Sequence, residues 1–521
     1  MVSSVEGRLV IFVVFPISFV VVTALRRFIK NRQNKPSLPP GPVPIPLLGN
    51  ILSIDTKEPW LTYSQWHAVY GDLIFVRILN QNALVINSQQ TTQALMDKRS
   101  SIYSDRPYLA TAEPCGWSIN FGFARYSDEW RRCRRLFRQT FRPDSAIKFR
   151  PMQLRRAREL IVNLIDDPQH YHRHFATFTA SVGMSSIYDY QPSARDDPMV
   201  QIMENALIIG LEMMTPERAA LLNAFPFLLK MPDWCWGSSI KLGARASAKS
   251  MKELVEVPFR YTQQHMDDSS SPGQLSMVAE NLRRMEKQQD EASKLVFETD
   301  LKKTATTAMI GSYDTTRSTL MAFALAMVSY PVVQRRAQAE ITSVIGKDRL
   351  PTFEDRASLP YVESVLRETL RWQPIGPLGI PHATSSDDIY DGYFIPKGTT
   401  IISNIWGITR DKNRYPDASR FMPERFLDAN GALTDDDPAE YVFGSGRRVC
   451  PGRYTVDATL WSAIAAMLAA VEFSFAKDDQ GKVIDFTPQF TGGLTHSVLA
   501  FPCNISLRSH IPGHSELVDL R

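Results

Sequence analysis

The sequence has few cysteines, little net charge and no internal division. Its 521 residues include five cysteines, an odd number, with no Cys-x-x-Cys spacing. This usage argues against a disulfide framework or a structural zinc site and fits a reducing compartment. The net charge of +4 is too small to indicate nucleic-acid binding. No internal repeat and no Gly- or Ser-rich tract divides the chain, so one large enzyme domain is as compatible with the length as two to four ordinary domains.

One uncharged apolar run, Leu9–Leu25, lies near the N-terminus. Its 17 residues are at the lower limit for a membrane-spanning helix. Arginines and lysines follow at once, which marks that side as cytoplasmic, and no small-x-small cleavage site of a signal peptide is present. We therefore predict a short lumenal N-terminus (1–8), a transmembrane signal anchor (9–25), and a cytosolic bulk held at the endoplasmic reticulum membrane. Residues 26–46 form a basic and proline-rich hinge, because so many prolines favour a stiff extended segment.

The remaining pattern is mainly helical. Apolar residues alternate at Leu73–Ile78 and Ala83–Ile86, which favours short strands of a small sheet. Long helices are expected at about Ser293–Tyr330 and at Pro360–Trp372, the second bounded by prolines. Residues 112–127 have no clear period and predict a long loop. The expected fold class is mainly α with small β-sheets.

A basic helix is predicted over Asp128–Arg138, a segment that begins with an N-cap signal and an acidic first turn. Trp130 and Arg134 are four residues apart and share one face of it. The common interpretation of so many arginines is a solvated basic face. The alternative is that Trp130 and Arg134 reach an anionic group while the outer arginines face an acidic partner.

Polar residues also interrupt the apolar helix at about 293–330. Asp314 and Thr315 lie in its middle, and such locally unfavourable residues tend to mark functional or strained sites. Threonines in helices often only bond back to a carbonyl one turn earlier. Both interpretations remain open from the residues alone.

Further along, Glu368 and Arg371 are three apart on a helix, and Arg425 follows in a Pro-Glu-Arg-Phe segment. As an isolated pair, Glu368 and Arg371 would contribute about 0.2–0.5 kcal/mol. His382, taken alone, is a polar packing residue. Arginine and carboxylate groups can nevertheless form a well-defined bidentate cluster.

The most specific segment is Phe443-Gly-Ser-Gly-Arg-Arg-Val-Cys-Pro-Gly452. It places Cys450 in a glycine-rich turn ahead of an apolar helix, and arginines nearby favour a thiolate. A buried structural cysteine is the alternative. The pattern Phe-x-x-Gly-x-Arg-x-Cys-x-Gly is complete at Phe443, Gly446, Arg448, Cys450 and Gly452.

These segments, in this order, resemble the cytochrome P450 family from about Lys35 to about Ser506, and most closely its fungal microsomal branch of secondary metabolism and xenobiotic oxidation. The resemblance implies the cytochrome P450 fold for residues 47–521, one haem-thiolate catalytic domain. It implies haem b with Cys450 as the axial thiolate ligand of the iron. The cofactor-binding set then comprises Trp130, Arg134, His382, Phe443, Gly446, Arg448, Cys450 and Gly452.

The same resemblance assigns roles to the other groups. Trp130 and Arg134 would contact a haem propionate, as would a cation at His382. Glu368, Arg371 and Arg425 would form a structural triad that holds the Cys450 loop. Asp314 and Thr315 would relay protons to bound dioxygen at a local opening of the helix.

Ser312 and Tyr313 occupy the two middle positions of the Gly-x-x-Asp-Thr motif. Ser312 replaces the usual second glycine, which affects the oxygen groove. Tyr313 occupies the variable position, where its bulk is expected to narrow the substrate pocket. That pocket is expected to draw on residues 112–127, 304–313, 375–380 and 491–496.

The function implied is a monooxygenase that inserts one oxygen atom of O2 into an apolar terpenoid, polyketide-derived, steroid-like or polycyclic aromatic molecule. Electrons would come from NADPH through NADPH–cytochrome P450 reductase docked on the basic helix with Arg447 and Arg453; cytochrome b5 is a further candidate partner. Two alternatives remain open: a haem-thiolate isomerase or dehydratase that needs no reductase, and a non-catalytic membrane-tethered haem-binding protein.

Overall fold

A computed structural model describes residues 36–508 except 80, 194–195, 236–237, 267–275, 288–289 and 347–348. The predicted lumenal segment at 1–8, the anchor at 9–25 and residues 26–35 of the hinge lie outside the described residues. Within the described ranges no single helix is long and apolar enough to cross a membrane. One pair of helices, Glu291–Ser329 and Pro331–Ile345, meets the length and composition criteria jointly but is bent by 103°.

The described chain is mainly helical, as predicted. Its α-helices are α1 (Pro59–Tyr70), α2 (Gln89–Thr92), α3 (Asp128–Phe141), α4 (Pro143–Ala146), α5 (Arg150–Asp166), α6 (Tyr171–Tyr188), α7 (Pro198–Met213), α8 (Pro216–Ala224), α9 (Ser239–His265), α10 (Met277–Glu286), α11 (Glu291–Ser329), α12 (Pro331–Ile345), α13 (Pro360–Trp372), α14 (Ile405–Ile408), α15 (Ala439–Val442) and α16 (Arg453–Ala470).

The strands form small sheets, again as predicted. They are β1 (Leu73–Ile78), β2 (Gln81–Ile86), β3 (His382–Ala383), β4 (Asp388–Tyr390), β5 (Tyr393–Ile395), β6 (Thr400–Ser403), β7 (Val471–Phe475) and β8 (Cys503–Leu507). One sheet has the order β1-β2-β6-β3, and two antiparallel pairs join β4 to β5 and β7 to β8. In the larger sheet β1 and β2 are antiparallel, whereas β2 and β6 run parallel from the Ala83–Thr400 pair.

Helix α11 is the central element. Its 39 residues extend about 58 Å at 1.5 Å per residue. The Asp290 side chain caps its start by accepting hydrogen bonds from the backbone of Ala292 and Ser293. It ends at Ser329, two residues before Pro331, which cannot continue the helical hydrogen-bond ladder. Residues 318–328 are buried on every side, so this half of the helix forms the middle of the core.

Helices α13 and α16 frame the cysteine loop. Pro360 opens α13 at its first turn, and the helix ends at Trp372, two residues before Pro374. Helix α16 starts at Arg453, directly after the loop, and almost its whole length is buried. Because both helices pack against α11, the loop is fixed to the same core as the polar middle of α11.

Candidate active site

A cavity of about 410 Å³ lies between the middle of α11 and the loop Phe443–Gly452. All four segments expected to form the pocket contribute lining residues. Helices α6 and α7 add further walls through residues such as Val182 and Leu207. Cys450 and Asp314 line this same cavity.

The backbone of the cysteine loop is held in a fixed shape. Gly446 has a φ of +61°, and a Cβ there would collide with the carbonyl oxygen of Met96. Only glycine fits this position without displacing the backbone opposite. The Cys450 N–H donates to the Phe443 carbonyl at 2.8 Å, which closes the loop on itself.

Cys450 is partly buried at the cavity wall, and burial raises the pKa of its thiol. Backbone N–H groups of Gly452 and Arg453 and the charge of Arg134 act in the opposite direction. A cation bound at the sulfur would add the charge needed to hold the thiolate. The loop therefore holds Cys450 in a position suited to binding a metal cation.

Helix α3 directs a tryptophan and an arginine into the cavity. The Ser127 hydroxyl caps the helix by accepting from the Trp130 N–H at 3.2 Å. One turn later, Arg134 donates to the Val449 carbonyl at 2.5 Å, and burial lowers its pKa to about 10. The Arg448 guanidinium lies 4.4 Å from the centre of the Trp130 ring. Both arginines thus border the cavity on the side of the loop.

Arg106 is a cavity residue that the sequence did not reveal. It is buried and donates to the carbonyls of Gly122, Ile380 and Pro381. Burial and the nearby charge of Arg448 lower its pKa, yet arginine stays protonated in proteins. It precedes Pro107 just before the predicted loop. Nothing local distinguishes it from a surface arginine, because its partners lie up to 275 residues away.

His382 lines the cavity, and its contact with a haem propionate stays a prediction. Its Nδ1 lies 2.7 Å from the Tyr103 carbonyl, which fixes the hydrogen on Nδ1. Burial and the adjacent Arg106 and Arg448 hold its pKa well below the usual range. These effects favour the neutral ring, and the arginines supply the positive charge at this end of the cavity.

The haem implied by the resemblance fits these residues. Arg106, Arg134 and Arg448 bring buried positive charge to one cavity, and the Nη1 of Arg448 has no partner among the described residues. The nearby carboxylate of Asp105 is already bound by Arg125 at 2.8 Å. Buried cations need anionic partners, which the two propionates would supply.

The centre of α11 lies within one continuous helix, and a local opening at Asp314 and Thr315 stays a prediction. The Thr315 hydroxyl donates to the Gly311 carbonyl at 2.7 Å. This is the bond to a carbonyl one turn earlier that threonines in helices often make. An added Cβ at Gly311 would meet no atom within 4 Å, so the helix presents open space there. Burial raises the pKa of Asp314, against the effects of the Thr495 hydroxyl and Arg317. Its Oδ2 has no hydrogen-bond partner in the described chain.

Tyr313 does not narrow the pocket, contrary to expectation. It is absent from the cavity lining, and its hydroxyl donates to Glu204 of α7. Ser312 lies at the cavity wall, and its hydroxyl donates to the Met309 carbonyl at 3.0 Å. The serine thus satisfies its hydroxyl within its own helix, and α11 stays continuous through this position.

Glu368, Arg371 and Arg425 form one buried cluster. Arg371 binds both carboxylate oxygens of Glu368 at 2.7 Å, and both side chains are fully buried. Arg425 approaches the same carboxylate at 3.3 Å. The Met422 N–H also donates to it at 2.8 Å. This bidentate geometry fixes α13 to the segment that follows β6.

Part of the basic surface of α3 is neutralised. Arg132 pairs with the buried Asp300 at 2.5 Å, and Arg131 pairs with Asp128. Arg135 and Arg138 are exposed and remain on the outer face. Arg132 therefore holds α3 against α11, which was not expected from the sequence.

Comparisons with known proteins agree with this geometry. A family profile described as Cytochrome P450 matches residues 39–501. Cytochrome P450 monooxygenase COX2 of Coprinopsis cinerea is 35% identical over 93% of this chain and 92% of its own length. Cytochrome P450 monooxygenase 176 of Postia placenta is 35% identical, with the same coverage. Cytochrome P450 monooxygenase claR of Ampulloclitocybe clavipes is 34% identical over 91% of this chain and 87% of its own length.

Proposed function

This chain belongs to the cytochrome P450 family of monooxygenases, and we propose that it inserts one oxygen atom of O2 into an apolar organic molecule with electrons from NADPH. The observation that carries the proposal is a single cavity lined by Cys450, Asp314 and three arginines. The family implies haem with a cysteine thiolate ligand. The residues of the cavity fit that group.

We assign Cys450 as the iron ligand and Arg106, Arg134 and Arg448 as the partners of the haem carboxylates. When bound, the haem supplies the activation of dioxygen, and its thiolate ligand favours cleavage of the O–O bond. Trp130 stacks on Arg448 and limits its motion, so the guanidinium is positioned before the carboxylate arrives.

Asp314 and Thr315 supply the acid chemistry of the cavity. Burial raises the pKa of Asp314 and so favours its neutral carboxyl, which can carry a proton at Oδ1 or Oδ2. Thr315 keeps its hydroxyl oriented by its bond to the Gly311 carbonyl. Both side chains line the cavity, so the proton is held where a reacting oxygen can be reached.

The substrate is proposed to be a largely apolar terpenoid, polyketide-derived, steroid-like or polycyclic aromatic molecule. Apolar side chains dominate the walls, as in Trp117, Phe121, Val182, Leu207, Ile310 and Leu378. Hydroxyls of Thr307, Ser312 and Thr495 add a few polar contacts. Such a lining selects by shape and hydrophobic contact with limited polar recognition.

Electrons are proposed to arrive through NADPH–cytochrome P450 reductase, with cytochrome b5 as a further partner. Arg135, Arg138 and Arg447 are exposed on α3 and on the Cys450 loop. A cationic surface speeds the approach of an acidic partner and makes it salt-sensitive. We place docking on this face because it lies beside the thiolate loop.

We also propose attachment to the endoplasmic reticulum membrane through the anchor at 9–25. Apolar side chains are exposed near the start of the described chain, including Val43 and Leu47. Phe227 and Trp234 are exposed as well, with Trp234 at 86%. Large exposed apolar groups of this kind are typical of surfaces that contact a membrane.

The test is expression of the full chain in microsomes with a reductase, followed by a carbon monoxide difference spectrum and a product screen under ¹⁸O₂. We expect a band near 450 nm and NADPH-dependent products that carry one ¹⁸O atom. Cys450→Ser should abolish the band. A band that survives this change, or products formed equally without NADPH, would contradict the proposal, and the second result would favour an isomerase or dehydratase.

A further inference from the structure

The Glu368–Arg371–Arg425 cluster makes no direct hydrogen bond to the cysteine loop within the described chain. Arg371 donates to the carbonyls of Thr409, Ala418 and Arg420. Arg425 donates to the Pro416 carbonyl. The cluster therefore orders residues 409–422, and another contact has to connect that segment to Cys450.

Two tyrosine hydroxyls provide such a connection. The hydroxyl oxygens of Tyr415 and Tyr441 lie 2.8 Å apart, and the Tyr415 hydroxyl lies 3.1 Å from the Asp436 carboxylate. A carboxylate can only accept, so Tyr415 donates to Asp436 and Tyr441 donates to Tyr415. Arg414 pairs with the same carboxylate and fixes its position. We call this chain of hydrogen bonds the tyrosine relay.

The relay is protected from water and bound to the arginine cluster. Tyr415 and Tyr441 are 1% and 3% exposed. The guanidinium carbons of Arg371 and Arg425 lie 5.4 and 5.8 Å from the centre of the Tyr415 ring. Burial raises the pKa of both tyrosines, so each keeps its hydroxyl hydrogen. Buried hydrogen bonds of this kind are costly to break because the freed groups find no water.

The other end of the relay enters the cysteine loop. Tyr441 belongs to the short helix α15, and its carbonyl accepts from the Gly444 N–H at 3.1 Å. Its neighbour but one, Phe443, accepts from the Cys450 N–H at 2.8 Å. A displacement of Tyr441 would therefore move the carbonyl to which the cysteine backbone is bound.

We propose that the Tyr441–Tyr415–Asp436 relay is the link through which the buried arginine cluster positions the Cys450 loop, and that both tyrosines are positioning residues for the thiolate. Tyr441 lines the cavity beside the loop. The hydrogen bonds of the relay join the two tyrosines and Asp436, and none of them goes to the Cys450 sulfur. Its effect is to keep the Cys450 thiolate bound to the haem iron. The inference rests on the proposed ligation by Cys450.

The test compares ferrous, carbon monoxide-bound protein of the full chain during mild heating. Tyr441→Phe keeps the ring and removes one hydroxyl. We expect it to speed conversion of the 450 nm band to a 420 nm band about tenfold, the effect of losing one buried hydrogen bond. Transfer of haem to apomyoglobin should accelerate in parallel. Tyr415→Phe should speed the band conversion at least as much as Tyr441→Phe. The double variant should convert no faster than Tyr415→Phe alone, because each change breaks the same relay.

Tyr361→Phe is the matched control. Tyr361 is also 3% exposed and donates to a carboxylate, Glu424, at 2.7 Å. Among the described residues it has no hydrogen bond to the cysteine loop. It should lower the free energy of unfolding as Tyr441→Phe does and leave the rate of band conversion unchanged. Equal acceleration in Tyr361→Phe, or none in Tyr441→Phe, would overturn the relay. A wild-type protein without a 450 nm band would instead overturn the proposed function.

Discussion

A Cβ placed on Gly183 would lie 2.6 Å from the hydroxyl oxygen of Ser312. Helix α6 therefore presents its glycine at the point where α11 carries a serine in place of the usual glycine. The serine hydroxyl occupies the space that a side chain at Gly183 would need. The larger residue at Ser312 on α11 therefore packs against the smallest residue, Gly183, on α6.

Gly183→Ala should lower the free energy of unfolding by about 1–2 kcal/mol, because the added methyl displaces the Ser312 hydroxyl from the Met309 carbonyl. The measurement is urea denaturation of the haem-loaded protein. The double variant Gly183→Ala/Ser312→Ala removes the collision and should recover most of the loss. Strictly additive effects in this double-mutant cycle would show that the two residues do not interact.

Tyr313→Phe should destabilise the fold by about 1–3 kcal/mol, because Glu204 loses a buried donor. Binding of a bulky azole to the cavity should stay unchanged, since Tyr313 does not line it. Glu204→Gln is the control, because its amide oxygen can still accept from the tyrosine. Tighter binding of larger azoles to Tyr313→Phe would restore the expectation that this ring narrows the pocket.

Arg135→Gln and Arg138→Gln should slow reductase-driven haem reduction several-fold at low salt and flatten its dependence on ionic strength. Stopped-flow reduction under carbon monoxide gives this rate. Arg132→Gln should behave differently: it leaves the buried Asp300 unpaired and lowers stability, with little effect on the salt dependence. A salt dependence that is the same in all three variants and in the wild type would argue against docking on α3.

His496 should make the fold sensitive to mild acid. Its ring stacks on Phe490 with centroids 4.6 Å apart, and burial lowers its pKa from 6.5 to about 4. The unfolded chain therefore protonates His496 below about pH 6.5, whereas the folded chain does so only near pH 4. The free energy of unfolding thus falls as the pH decreases through this window. From pH 7 to pH 5 this residue alone should remove about 2 kcal/mol of the free energy of unfolding.

His496→Phe keeps the stacked ring and removes the titrating group. The difference in urea stability between pH 7 and pH 5 should shrink by about 2 kcal/mol in this variant. An undiminished difference would place the acid sensitivity in another residue.

Elements bounded by strong local signals were predictable from the sequence. Proline on both sides of α13 defines its ends at 360 and 372, and the prediction of a helix at about 293–330 lies within two residues of α11. The loop around Cys450 was predictable because its glycines and cysteine occur at a fixed spacing. In each case the information lies within one short stretch.

Contacts between distant segments were not predictable. The direction of the Tyr313 side chain depends on α7, and the role of Arg132 depends on Asp300, 168 residues away. Arg106 lies in the cavity because residues 380 and 381 offer it carbonyls. No periodicity or composition encodes these pairings, since each requires the packed fold.

The arginines that line the cavity have a thermodynamic consequence. Without an anion between them, Arg106, Arg134 and Arg448 place like charges in a desolvated space, which destabilises the folded chain. A ligand that carries two carboxylates removes this repulsion only in the native state, and binding to the native state alone stabilises it by mass action. Haem supply should therefore set how much of the newly made protein survives in the cell, before any question of turnover arises.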